Sequence, residues 1–172
     1  MTDYPMLTLN DGRQLPQIGF GTYQIDNDKA AEAVRTAVDV GYKMVDTAAV
    51  YQNEDGVGDG LTETPDIFLQ TKIWNASQGY DRTLKAAEKC LDRLGRDNVD
   101  MLLIHWPCPE KGLFVETWKA LIELRDQGKA KSIGVSNFRT EDLKRIADET
   151  GVTPALNQIE LHPSFQQREL RK

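Results

Sequence analysis

A carboxylate, a phenol, an ammonium and an imidazole are placed along this 172-residue chain so that each falls at or just after the end of a short apolar run. Asp46 and Tyr51 lie in the segment Gly41 to Glu54, Lys72 in Thr71-Lys72-Ile73-Trp74, and His105 in Leu103-Ile104-His105-Trp106-Pro107. Together these groups suit proton delivery to a carbonyl oxygen on which negative charge develops. A free phenol titrates at about 10, and a nearby ammonium, here Lys72, draws it toward neutrality. A lysine in a dry site tends to lose its own proton, so Asp46 would hold it charged and in place. His105 would orient the carbonyl and help to relay the proton. Taken singly, each residue has an ordinary structural use: a cap after a strand, a packed surface aromatic, or a satisfied core histidine.

The elements that must position them read as an α/β chain. Leu7 to Leu15 alternates apolar and polar residues around Asp11-Gly12, which predicts an opening β-hairpin. From Ile18 onward, short apolar runs alternate with amphipathic stretches, the pattern of parallel strands joined by crossover helices. Strands are expected near Ile18 to Gly21, Met44 to Asp46, Ile67 to Lys72, Met101 to His105, Ser132 to Ser136 and Ala155 to Glu160. Helical stripes are Ala31, Val34, Ala37 and Val38 before Gly41; Leu84, Ala87, Leu91 and Leu94 before Gly95; and Val115, Trp118, Leu121 and Ile122 before Gly128. A fourth stripe, Leu143, Ile146 and Ala147, follows Thr140 as its N-cap and ends at Gly151. A further helix is expected to begin at Gln166 to Lys172.

Composition narrows the function classes. With 40% hydrophobic residues the chain can form one domain, residues 1–172. A formal charge of -6 and the lack of a basic stripe argue against nucleic acid or an anionic membrane as partner. No stretch approaches the ~20 apolar residues of a membrane span, and the start at Met1 to Pro5 lacks a secretory pattern, so a cytoplasmic protein is expected. Cys90 falls on an apolar helix face and reads as core, and Cys108 reads as loop packing. The two histidines, His105 and His162, have no metal-ligand spacing, so no metal is expected and His162 reads as structural.

The Asp46 to Gly58 segment, in which Glu54, Val57 and Gly58 follow Asp46 and Tyr51, resembles the signature of the aldo-keto reductase family, and Lys72, His105, Gly134 to Phe138 and Asn157 to Pro163 continue the match. Within the family it resembles the bacterial diketogluconate and methylglyoxal reductases. The resemblance implies a (β/α)8 TIM-barrel type of fold and NADPH-dependent reduction of small aldehydes or ketones. It assigns Tyr51 as general acid, Lys72 as its modulator, Asp46 as the partner of Lys72, and His105 as the residue that orients substrate. It also implies cofactor binding at Gly21, Thr22, Asp46, Ser136, Asn137 and Gln158; the lesser alternative for the last three is capping or satisfying strand-end backbone groups. Tyr23 and Trp74 are expected to wall the substrate pocket with Tyr51 and His105; Trp106 is divided between wall and packing.

The sequence departs from the family in two respects. Lys43 and Met44 replace the Arg-His pair usual before the Asp. A closed barrel needs ~250 residues, so the chain is expected to be an incomplete barrel of about six βα units, without the family's C-terminal phosphate-binding segment. Exposed sheet edges would then invite self-association. A catalytically silent barrel fragment serving as a binding or assembly module is the alternative reading.

Overall fold

The computed structural model describes residues 4–171. Met6–Thr8 (β1) and Gln14–Pro16 (β2) form the expected antiparallel hairpin. Its turn bonds Leu9 N–H to the Arg13 carbonyl at 2.8 Å, with Gly12 in the left-handed region that glycine adopts freely. Asn10 Nδ2 donates to the Pro154 carbonyl at 2.9 Å, and the Ser132 hydroxyl donates to the Asp11 carboxylate. The hairpin therefore closes the end of the sheet at which β7 begins.

Six parallel strands follow, each beside its predecessor: Phe20–Gly21 (β3), Met44–Asp46 (β4), Phe68–Ile73 (β5), Val99–Ile104 (β6), Ala130–Ser136 (β7) and Asn157–Gln158 (β8). In a flat sheet β4 and β8 would stand ~19 Å apart, four strand spacings. Gln158 Nε2 nevertheless donates to Asp46 Oδ2 at 3.1 Å across the inner face. The sheet is curled, and with helices on its outer side it forms a partial (β/α)8 barrel. The expected strand Ala155 to Glu160 shortens to Asn157–Gln158: Ala155 N–H still donates to the Ile133 carbonyl at 2.9 Å, but the chain after Gln158 turns away toward a His162–Phe165 bridge.

Helices Asn27–Asp39 (α1), Glu54–Gly60 (α2), Tyr80–Leu94 (α3), Phe114–Asp126 (α4) and Thr140–Thr150 (α5) cover the outer face. The predicted stripes supply much of the core: Val34, Ala87, Leu91, Leu94, Trp118, Leu121 and Ile146 pack against Leu69, Leu102 and Ile133. In α1 the fully buried alanine is Ala30, while Ala31 is only half-buried. Cys90 is buried in this core, and burial together with nearby Glu54 pushes its thiol up to about 12.

Three expectations are corrected. The N-cap of α5 is Arg139, with Thr140 as the first helical residue, because the Asp142 carboxylate accepts from the Arg139 backbone N–H at 3.2 Å. Residues 166–171 form no helix, only a turn closed by Arg171 N–H to the Gln167 carbonyl at 3.1 Å, and Lys172 lies outside the described residues. Helix α2 was not foreseen, since Glu-Asp-Gly-Val-Gly-Asp-Gly lacks an apolar stripe and glycine disfavours helix. Close approach compensates: a Cβ at Gly56 would overlap the Asn27 carbonyl oxygen, and one at Gly58 would lie 2.6 Å from that of Leu94. Among the described residues no helix is long and apolar enough to cross a membrane.

Candidate active site

Strand register brings the four predicted residues together. Asp46, at the end of β4, pairs with Gln70, so Lys72 stands one pleat further along β5. Gln70 and Lys72 point inward, and Leu69, Thr71 and Ile73 point outward. His105 lies just past the end of β6, its amide donating to the Ile73 carbonyl at 3.1 Å. Tyr51 ends a single 3-10 turn, Ala49–Tyr51, reached from β4 by two residues, Thr47 and Ala48.

Lys72 is 2% exposed, and its Nζ donates to Asp46 Oδ1 at 2.6 Å and to the Thr47 carbonyl at 2.9 Å. Asp46 also accepts from Gln70 Nε2 at 2.7 Å and Gln158 Nε2 at 3.1 Å, so its carboxylate is bound on both oxygens. The ammonium lies 5.3 Å from the centre of the Tyr51 ring, within cation–π range. Edge-on contacts then link the Tyr51 and His105 rings at 5.8 Å and the Trp74 and His105 rings at 5.2 Å. Tyr23 packs over Tyr51 at 5.2 Å.

Electrostatics correct one expectation. Lys72 does not draw Tyr51 toward neutrality: the phenol is pushed up to about 12, by burial first and then by the carboxylate of Asp46 and the neighbouring phenol of Tyr23. Asp46 lies so close to the ammonium that the pair presents little net positive field to the ring. Burial lowers Lys72 itself, and Asp46 opposes that fall. His105 is lowered to about 4 by burial and by Lys72, so it is a neutral imidazole at physiological pH. Its Nδ1 is buried without a hydrogen-bond partner among the described residues.

Two spaces adjoin the cluster. A cleft of about 490 Å³ is walled by Tyr23, Tyr51, Trp74, His105 and Trp106, with Gln24 and Val50 at its border. Trp106, divided between two roles in sequence, thus stands beside the others at 44% exposure. A second cavity of about 430 Å³ runs along the inner face from the hairpin to Gly21, Asp46, Gln70 and Gln158. Neither lining contains Lys or Arg. The remaining suggested cofactor residues are engaged within the protein. Thr22 is wholly buried with its hydroxyl 3.3 Å from the Asp46 carbonyl; Ser136 donates to the Gln158 carbonyl at 2.9 Å; and Asn137 Nδ2 donates to the His105 carbonyl at 3.0 Å.

Sequence reasoning missed Gln70 and Asn53. Gln70 is 1% exposed with Oε1 unpartnered, and the available signal was a polar side chain at an inward position of a buried strand. Asn53 is wholly buried and bridges loops remote in sequence, which no local pattern reveals.

Residues 17–172 match the Aldo/keto reductase family. The chain belongs to that family. It is 50% identical over 172 residues to an aldo-keto reductase of Mycobacterium sp. strain KMS, and 44% identical over 174 residues to methylglyoxal reductase DkgA of Escherichia coli K12. It spans 62% of the length of each of these curated relatives, while 98% and 99% of this chain are covered. Among solved structures, an aldo/keto reductase from Brucella melitensis superposes with a TM-score of 0.95 at 56% identity, covering 98% of this chain and 68% of that one. A mutant of Gox0644 in complex with NADPH superposes with a TM-score of 0.96 at 54% identity, covering 98% and 62%.

Proposed function

We propose that this chain carries the carbonyl-reducing centre of an NADPH-dependent aldo-keto reductase acting on small aldehydes or ketones of the methylglyoxal or diketogluconate kind. The observation that carries the reading is the buried Asp46–Lys72 pair beneath Tyr51, whose ring and that of His105 open onto an aromatic cleft. Aromatic walls with few polar groups suit a small carbonyl compound with an apolar face. The proposed setting is the cytoplasm.

The inner cavity fits the nicotinamide end of the cofactor. A Cβ at Gly21 would meet nothing within 4 Å, Gln70 Oε1 is a buried acceptor without a partner, and Asp46 and Gln158 share that wall. Gly21, Thr22, Asp46, Ser136, Asn137 and Gln158 would hold it. When bound, NADPH supplies hydride to the carbonyl carbon.

The side chains manage the oxygen. A phenol held up to about 12 keeps its proton at neutral pH and meets a carbonyl oxygen as a donor. As charge grows there, the proton passes from Tyr51, because an alkoxide is more basic than a phenolate. The phenolate left behind lies beside Lys72, which Asp46 keeps in place and favours in its charged form. Neutral His105 donates an N–H to the same oxygen and helps to orient it.

The test is a fluorescence titration of the 172-residue chain with NADPH, followed by reduction of methylglyoxal. Saturable binding in roughly the micromolar range and turnover that Tyr51→Phe abolishes are expected. Equal turnover by Tyr51→Phe would remove that residue as the acid. A folded chain that neither binds NADPH nor reduces any carbonyl would overturn the reading.

A further inference from the structure

Asn53 stands between the turn that carries Tyr51 and the start of α2, and it is wholly buried. Its Nδ2 donates to the carbonyls of Thr22 and Ile25, each at 2.9 Å, and its Oδ1 accepts the Thr47 hydroxyl at 3.0 Å. Both amide hydrogens and the carbonyl oxygen are therefore engaged. The partners belong to two separate βα loops. Residues 22–25 carry Tyr23 and Gln24, and residues 47–53 carry Tyr51.

The first loop depends on this clamp. Its turn is closed by Ile25 N–H to the Thr22 carbonyl at 3.2 Å, with Gln24 at a positive φ of 63°, a conformation that non-glycine residues adopt at some cost. Tyr23 is 67% exposed, so burial does not fix it, yet its ring packs 5.2 Å from that of Tyr51. The second loop reaches the centre of the site: Thr47, whose hydroxyl Asn53 holds, offers its carbonyl to Lys72 at 2.9 Å. Asn53 thus ties the loop bearing the outer wall to the loop that receives the buried ammonium.

We propose that Asn53 is a positioning residue that fixes Tyr23 against Tyr51 and so sets the width of the substrate cleft. What the cleft holds rests on the reductase reading; the clamp itself does not. Asn53→Asp keeps the size and the acceptor for Thr47 but removes both donors and turns a carboxylate toward two carbonyl oxygens.

Amide hydrogen exchange tests the clamp without any ligand. In Asn53→Asp, exchange at residues 22–25 should quicken by about tenfold or more, as the loss of a hydrogen bond implies, while β5 keeps its protection. Thr47→Val, which deletes one hydroxyl at the same position in the network, should give a smaller rise of about threefold and carries the test if the aspartate variant fails to fold. Asn27→Ala is the control, since Asn27 Oδ1 accepts from Gly56 N–H at 2.9 Å on the same helix, and it should leave residues 22–25 unchanged. No change at 22–25 in the folded variants, or an equal rise in β5, would overturn the proposal.

The functional half is read with NADPH and methylglyoxal. Asn53→Asp and Tyr23→Ala should each raise KM by about tenfold with kcat within about threefold, and the double variant should be no worse than Tyr23→Ala alone. Additive losses would show that Asn53 does not act through Tyr23. A parent chain that reduces no carbonyl defeats the reductase reading instead, and hydrogen exchange then decides the clamp.

Discussion

Two ion pairs flank strand β5 on opposite faces, one residue apart, and they differ in what surrounds them. On the outer face the wholly buried Glu54 accepts the Thr71 hydroxyl on one oxygen and the Arg93 guanidinium on the other, and Arg93 also reaches Cys90 Sγ at 3.5 Å. Helices α2 and α3 carry that pair, with Arg93 keeping 35% of its side chain exposed, and no unpartnered buried polar atom belongs to it among the described residues. On the inner face Asp46 lines one open space and Tyr51 and His105, beside Lys72, line another, with Gln70 Oε1 and His105 Nδ1 unpartnered. A saturated pair can only hold; a pair beside unmet acceptors and empty volume can respond to what enters. The same kind of pair therefore fastens the scaffold on one side of the strand and leaves polar groups open to a ligand on the other.

The sharpest break in this comparison is Tyr51→Phe, which keeps the ring and removes the proton. Steady-state reduction should fall by roughly 10²–10⁴-fold, with the unfolding midpoint close to the parent. Arg93→Leu should do the reverse. It strands the Glu54 carboxylate in the outer core, and denaturant unfolding should show a loss of about 3–5 kcal/mol, while any folded fraction keeps its turnover per active site.

Lys72→Met should fall between them. Turnover should drop by roughly 10²-fold, but stability should fall by only about 1–3 kcal/mol, because Gln70 and Gln158 still bond Asp46. A smaller effect comes from His105, whose folded value of about 4 lies below the ordinary imidazole value of about 6.5. Below pH 6.5 the unfolded chain binds the proton that the folded chain refuses, so this contribution to stability is present above that pH and declines as pH falls toward 4. Urea midpoints measured between pH 7 and 4 should fall less steeply in His105→Gln than in the parent. The smallest change expected is in Trp106→Ala, a rise of a few-fold in KM (~1 kcal/mol) with kcat unchanged, since this half-exposed ring walls the cleft but lies outside the polar cluster.

Much of the scaffold was legible because its signals are local. Val34, Leu91, Leu94, Leu121 and Ile146 follow helical spacing and all are buried, and the four candidate residues each lie beside a strand end in the order expected. Helix α2 was not legible, because its stability comes from glycines that let α1 and α3 approach its backbone. The turn at 166–171 was misread for the opposite reason: a polar run compatible with helix has too little apolar surface to bury as one.

What the sequence by itself determined was the set of chemical groups and the face on which they emerge. Residue type fixes the groups, and the alternation of helical and strand periods fixes the order of the strands beside which they emerge. The tertiary structure decided how those groups influence one another. Lys72 was expected to lower Tyr51, yet burial and the Asp46 carboxylate, 2.6 Å from the Lys72 ammonium, raise the phenol to about 12. The bridging by Asn53 and the meeting of Gln158 with Asp46 likewise arise only when the sheet curls. Electrostatic fields and hydrogen bonds depend on distances through space, and separation along the chain does not fix those distances.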